Sequence, residues 1–264
     1  MHDAHVHLDF MTNGEAVALD ALDANCILFA STVTPSGYLE ARERFGKCHN
    51  VALGLGLHPW WVSDESLEAP TNAKATTGST MGVPRDAEKL VSLLDETNFV
   101  GEIGLDFGKR HAHTQKAQAD AFSLIARECV LRGGKTLSIH SVHAAREALD
   151  TLHDAGAFEA CTCIFHWFTG PSDQLKRAVQ AGCYFSVGSR MLATGKGREY
   201  VKAIPLNRIL LETDAPPSQG QAYSFAELQA ELESTLQAIA AIKGPEAHEV
   251  IRATGDRLLS PAQS

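Results

Sequence analysis

Apolar, β-rich runs recur along this chain with helical stretches between them. The runs are Ala4–Leu8, Cys26–Val33, Val51–Leu57, Phe99–Leu105, Thr136–His140, Cys161–His166, Cys183–Val187 and Arg208–Glu212, eight in all. Between them the periodicity is helical. After His113, residues Ala117, Ala121, Phe122, Ile125 and Cys129 fall three and four apart, on one face of a helix. Leu149 and Leu152 repeat that spacing within Arg146–Leu152. Pro35 and Pro171 follow Thr34 and Gly170, where proline suits a first helical turn. Strands alternating with helices predict a parallel sheet. Eight such units in 264 residues predict that the sheet closes as a (β/α)8, TIM-type barrel, a fold that takes about 250.

Two regions break the rhythm. Residues 63–85 are rich in Thr, Ala, Gly and Ser and lack periodicity, so they read as an insertion after the third strand. They are expected to form a mobile flap over the rim or a docking surface for a partner. Phe225–Ile242 and Glu246–Leu259 look helical and would complete the outer layer. No linker divides the chain, so residues 1–264 are expected to form one domain.

Composition narrows the class. An apolar fraction of 44% and a charged fraction of 21% exclude a disordered or fibrous chain. No apolar run approaches the roughly 18 residues of a membrane span. The opening MHDAHVHLDF lacks a basic segment followed by an apolar one, so no secretory signal is expected. The six cysteines form no CxxC pair, and a chain this long needs no disulfide staples. Reduced thiols, a cytoplasmic location and a monomer are the expectation. The net charge of −9 repels polyanions, so a nucleic-acid ligand would need a basic edge or bound cations.

The twelve histidines carry the chemistry. His5 and His7 lie two apart, and a strand turns both to one face. Alone, that pair is a weak signal. Glu102, however, sits inside the apolar run 99–106, while His140, His166 and Asp214 each end or follow a run. His58 follows Leu-Gly-Leu-Gly-Leu and precedes Pro59. Burying any one of these groups costs several kcal/mol unless it is paired or metal-bound. In a barrel the carboxyl ends of all strands converge on one rim. His5, His7, Glu102, His140, His166 and Asp214 are therefore expected to meet there as metal ligands.

Six motifs appear in order: His5-Val-His7-Leu-Asp9, Gly56-Leu-His58-Pro59, Gly101-Glu-Ile-Gly-Leu-Asp106, Ile139-His140-Ser141, Phe165-His166-Trp-Phe-Thr-Gly170 and Leu211-Glu-Thr-Asp-Ala-Pro216. This set resembles the TatD family of metal-dependent deoxyribonucleases, within the amidohydrolase-like barrels. The resemblance covers residues 2 to about 217. It implies a centre of two divalent ions (Mg, Mn or Zn), one held by His5, His7, Glu102 and Asp214. The other would be held by Glu102, His140 and His166, with Glu102 bridging. Two ions about 3.5–4 Å apart can bind both the attacking and the leaving oxygen of a phosphodiester. Asp214 would also accept the proton of the attacking water. His58 either donates to a phosphate or leaving oxygen, or merely caps the loop after its strand. Asp106 either orients a ligand histidine or caps a helix.

Some positions depart from the family pattern. Val142 stands where most members carry an arginine, with His143 and Arg146 following, and the Asn-Glu-Pro signature is absent after Pro217. The details His166-Trp-Phe, Gly182-Cys-Tyr-Phe-Ser-Val-Gly188, Met191-Leu192 and Lys196-Gly-Arg-Glu199 look like the TatD-like nuclease of Qat anti-phage defence systems. Arg190, Lys196, Arg198 and Lys202 either face a phosphate backbone or form an ordinary solvated helix face. Arg198, Lys202 and Arg146 are the candidate substrate contacts. A second basic group is Lys109, Arg110, His111, His113 and Lys116, and Trp60, Trp61, Trp167 and Phe168 are open to stacking or packing roles. The expected activity is hydrolysis of DNA phosphodiesters. The alternatives are a small-molecule amidohydrolase or phosphoesterase with the same metals, and a partner module of a defence complex.

Overall fold

The computed structural model describes residues 1–63 and 84–260. The insertion read at 63–85 therefore lies, apart from its ends, outside the described residues. Its last residue, Arg85, opens a helix. In chain order the elements are β1 (His2–Val6), α1 (Gly14–Asp23), β2 (Ile27–Ser31), α2 (Pro35–Phe45), β3 (Val51–Leu57), α3 (Arg85–Leu93), β4 (Phe99–Asp106), α4 (Gln115–Arg132), β5 (Thr136–Val142), α5 (Ala145–Ala155) and α6 (Ala157–Ala160). They continue with β6 (Thr162–His166), α7 (Ser172–Gln180), β7 (Tyr184–Val187), α8 (Ser189–Leu192), α9 (Gly195–Ala203), β8 (Ile209–Leu211), α10 (Phe225–Lys243) and α11 (Ala247–Leu259). All eight strands are parallel and pair in the order β1 to β8.

The sheet returns on itself where β8 meets β1. Asp214 N donates to His5 O at 2.9 Å and His7 N to Ala215 O at 2.8 Å. Further down, side chains replace the ladder. Leu211 N donates to His2 Nε2 (3.1 Å), and Asp3 accepts from Thr213 N (3.1 Å), Thr213 Oγ1 (2.6 Å) and His5 N (3.1 Å). Burial pushes the Asp3 carboxyl up to about 8, against these donors. Closure thus ties the strand that carries His5 and His7 to the segment that carries Asp214.

Two apolar clusters follow from strand alternation. Ala4, Phe29, Ile164, Leu210 and Leu259 form a small one, with Ile27, Phe99 and Tyr184 against it. Their strand neighbours Leu28, Ala30, Phe165, Ile209 and Leu211 belong to the large cluster that joins the helices. Successive strand residues point to opposite faces, so the small cluster fills the barrel and the large one lies between barrel and helices. Ala117, Ala121, Phe122, Ile125 and Cys129 all face that layer from α4, as their spacing predicts. Thr34 caps α2 by accepting from Gly37 N at 3.0 Å, with Pro35 in the first turn. Pro171 takes the position before α7 instead of its first turn. The six cysteines are free. Among the described residues no helix is long and apolar enough to cross a membrane.

The strands are least regular where the polar residues sit. Pairing shifts between Leu55 and Leu57 on β3, and between Val100 and Ile103 on β4. Thr32, just past β2, reaches across β3: its N donates to Gly101 O (3.0 Å) and its O accepts from Glu102 N (2.9 Å). Only Gly56 leaves room for this, because a Cβ there would lie 1.7 Å from Thr32 O. Irregularities of this kind re-aim side chains, and the one on β4 sets Glu102.

Candidate metal centre

A pocket of about 330 Å³ opens at the carboxyl ends of the strands. His7, His58, Glu102, His140, His166 and Asp214 line it, and His5 lies beneath, wholly buried. Glu102 is the hub. Its Oε2 is 3.2 Å from His5 Nε2 and 3.5 Å from His7 Nε2, and its Oε1 is 2.7 Å from His140 Nδ1 and 3.4 Å from His58 Nε2. Asp214 Oδ1 lies 3.6 Å from His7 Nε2. Burial opposes charge on Glu102, but His58, His5 and His140 together hold its carboxyl well below the usual range. Burial in turn pulls His5 and His58 down to about 4, only partly opposed by Glu102.

The outer partner of each imidazole fixes which nitrogen faces the pocket. His7 Nδ1 lies 3.0 Å from Ser31 O, and a carbonyl can only accept, so Nδ1 carries a proton and Nε2 is the nitrogen left to face the pocket. His166 Nδ1 lies 2.8 Å from Glu212 Oε2, the carboxylate arrangement that orients ligand histidines. Burial works against charge on His166, yet Glu212 raises it to about 10. Ser186 Oγ donates to the same Glu212 oxygen. His5 Nδ1 pairs with Ser138 Oγ at 2.8 Å, and its ring stacks on His166 with centroids 3.8 Å apart. His58 is the reverse case. Its Nδ1 accepts from Trp60 N at 3.1 Å, so the neutral ring carries its proton on Nε2, facing Glu102. The loop-capping role and the donor role of His58 are therefore one arrangement, and a protonated Nε2 cannot ligate an ion.

The donor set fits divalent ions. His5 Nε2 and His140 Nε2 are buried and have no hydrogen-bond partner. The nearest carboxylate oxygens lie 3.2 and 3.5 Å away without hydrogen-bond alignment. An unpaired buried polar atom costs about 1–3 kcal/mol, and imidazole with carboxylate suits metals of the zinc and manganese kind. Among the described residues, two groups free to ligate bring their atoms within 4.8 Å of one another, His5, His7 and Asp214, and His5, Glu102 and His166. A third, His58, Glu102 and His140, contains the His58 ring that cannot ligate and so offers Glu102 and His140. His140 and His166, assigned to one ion by the resemblance, fall in different groups, their ring centroids 6.4 Å apart.

Other side chains complete the rim. Asp106 accepts from Trp60 Nε1 at 2.6 Å and from Gly108 N at 2.8 Å, and lies 3.5 Å from His140 Nε2, so it both stiffens the turn and faces a histidine. Arg190 lines the pocket, 2.9 Å from Asp214 Oδ2 and with its guanidinium over Trp167. Asp214 and Trp167 hold left-handed backbone, φ 56° and 37°, a conformation non-glycine residues keep only where the surroundings impose it. Arg198, Lys202 and Arg146 do not line the pocket. Arg198 donates to Leu192 O at 2.8 Å, Lys202 pairs with Glu199 at 2.7 Å, and Arg146 lies on α5. Sequence reasoning gave no role to Glu212, Ser31, Ser138 or Ser186. Glu212 had a signal, a second carboxylate in an apolar run two residues before Asp214. The serines had none.

A pocket of histidines and carboxylates at the carboxyl rim of a parallel eight-stranded barrel defines a metallo-dependent hydrolase barrel. Residues 2–258 match the family described as TatD related DNase, and the chain belongs to that family. It is 27% identical to the human protein named Deoxyribonuclease TATDN3, over 97% of this chain and 92% of that protein. It is 26% identical to YcfH of Escherichia coli K12, named an uncharacterized metal-dependent hydrolase, over 96% of this chain and 92% of that protein. The solved structure of the TatD homologue YJJV from Escherichia coli K12 shares the fold, with a TM-score of 0.72 at 21% identity, covering 98% of this chain and 97% of that one.

Proposed function

We propose that this chain is a deoxyribonuclease that hydrolyses phosphodiester bonds with water at a centre of two divalent ions, Mg, Mn or Zn. The observation that carries the reading is the buried set around Glu102, in which His5 Nε2 and His140 Nε2 lack hydrogen-bond partners. His5, His7, Glu102 and Asp214 would hold one ion, and Glu102, His140 and His166 the other. Two such ions supply positive charge for phosphoryl oxygens and bring the pKa of water to about 7.

The chain's own groups do the rest. Asp214 is the proton acceptor, steadied by Arg190 on Oδ2. His58 presents Nε2–H to a phosphate or leaving oxygen, held in that tautomer by Trp60 N. Ser31 O and Glu212 accept the Nδ1 protons of His7 and His166 and turn each Nε2 toward the pocket, where its own proton would be lost on binding an ion.

Metal analysis of the purified protein, with cleavage assays on single- and double-stranded DNA, tests the reading. Retained metal and DNA cleavage abolished by Glu102→Gln are expected, since Glu102 serves both ions. Retained metal without cleavage of any DNA would overturn the nuclease reading in favour of a small-molecule amide or phosphoester substrate, which the −9 charge suits. The likeness of Gly182–Gly188 and Lys196–Glu199 to Qat nucleases is what suggests a setting in anti-phage defence, with protein partners. A plaque assay comparing wild type with Glu102→Gln in the host system tests that role: equal plaque counts would reject it.

A further inference from the structure

Trp60 and Trp61 are 52% and 40% exposed, on the short 3-10 turn that follows His58. The other exposed large apolar side chains among the described residues, Leu19, Leu22 and Leu131, lie on α1 and α4 and do not line the pocket. Exposure of both tryptophans beside the centre is therefore a local feature. Trp60 is also fixed in place. Trp60 Nε1 donates to Asp106 Oδ2 at 2.6 Å, and Trp60 N donates to His58 Nδ1 at 3.1 Å. The Trp60 ring lies parallel to His111, 5.1 Å between centroids and 7° between planes. The Trp61 ring is tilted 17° from Trp60 at 6.3 Å. His111, Trp60 and Trp61 thus form a stepped column of near-parallel rings, anchored to two residues of the candidate centre. Preorganised aromatic faces bind at a lower ordering cost than mobile ones.

The surroundings of the column specify its ligand. Trp60 and Trp61 wall both the central pocket and an adjoining hollow that they share with Arg110, His111 and His113. Among the described residues no carboxylate lines that hollow, in a chain whose net charge is −9. A flat π-surface next to a cation, continuous with a site for phosphate chemistry, matches a nucleotide. We propose that Trp60 and Trp61, with Arg110, form a stacking subsite for an unpaired nucleobase adjacent to the scissile phosphate. This inference rests on the nuclease reading above and deepens it. Within a duplex both faces of a base are already covered by its neighbours, so only single strands or frayed ends supply a base to this column. Arg110 then contacts the neighbouring phosphate.

The experiment measures binding of a fluorescein-labelled oligothymidylate, by anisotropy and by quenching of tryptophan fluorescence, in EDTA so that nothing is cleaved. Trp61→Leu is expected to weaken binding about tenfold or more by anisotropy, while Trp61→Phe retains most of the affinity. The quenching is read on the wild type, whose tryptophan emission should fall on binding the intact strand. The wild type should bind an oligonucleotide with abasic sites about as weakly as Trp61→Leu binds the intact one. That comparison needs no variant. If abasic and intact strands bind the wild type equally, or Trp61→Leu binds like wild type, the stacking subsite is wrong. The nuclease reading still stands in that case if the metal-loaded wild type cleaves the same oligothymidylate. If the wild type neither binds nor cleaves it, both fail.

Discussion

At the scale of single residues, the candidate centre is built by outer partners as much as by the groups that face the pocket. Glu212 does not line the pocket, yet it holds a proton of His166 on Nδ1 at 2.8 Å. Glu212→Gln is expected to lower metal affinity by about 10–100-fold with little change in fold, read by titration calorimetry with unchanged circular dichroism. The metal-type residues were legible because buried polar groups are rare in apolar runs, and Glu102 inside Phe99–Asp106 stood out for that reason. Ser31, Ser138 and Ser186 were not legible. A serine in a strand is ordinary, and only the closed barrel turns these three toward His5, His7 and Glu212. The same limit explains the basic residues. Charge spacing after β7 pointed to a cluster, but which member reaches the pocket depends on where α8 begins. Arg190, on α8, meets Asp214, whereas Arg198 and Lys202, on α9, turn to other partners.

At the scale of elements, the eight strands were readable from apolar runs because each lies between a filled barrel and a helical layer. Their ends were less so. β1 begins at His2, not Ala4, because His2 and Asp3 are polar and spend their side chains on closing the sheet. The crossing of Thr32 over β3 makes Gly56 a packing requirement. Gly56→Ala, whose Cβ would meet Thr32 O at 1.7 Å, should destabilise the fold by about 2 kcal/mol or more and loosen Glu102, measured by urea denaturation. On the outside, Glu15 of α1 and Arg44 of α2 pair through two bonds, 2.5 and 2.9 Å long. Arg44 holds the Glu15 carboxyl down to about 2, below its ordinary 4.5. A depressed carboxyl adds stability that is complete above pH 4.5 and is lost as pH falls toward 2. With the side chains 49% and 30% exposed, the effect is about 0.5–1 kcal/mol. Glu15→Gln should therefore narrow its stability gap from wild type across that interval, and the gap should be smaller in high salt.

At the scale of the whole molecule, the centre gathers candidate ligands from β1, β4, β5, β6 and the segment after β8, so an ion bound there would brace most of the barrel. Anything that binds only the folded state stabilises it by mass action, about 2.7 kcal/mol at a hundredfold excess over Kd. Removing metal with a chelator should lower Tm by several degrees, and Glu102→Gln should abolish most of that difference in calorimetric scans. Equal Tm with and without chelator in the wild type would speak against resident ions.

The seam between β8 and β1 bears on synthesis as well as structure. His5 and His7 leave the ribosome before Asp214, which follows more than two hundred residues later. The backbone bonds from Asp214 to His5 O and from His7 to Ala215 O cannot form before then. A nascent chain therefore carries His5 and His7 through more than two hundred residues of synthesis before the residue that joins them at the candidate centre. Closure of the candidate centre waits for the segment after β8, and a product terminated before it carries an open barrel and an incomplete centre.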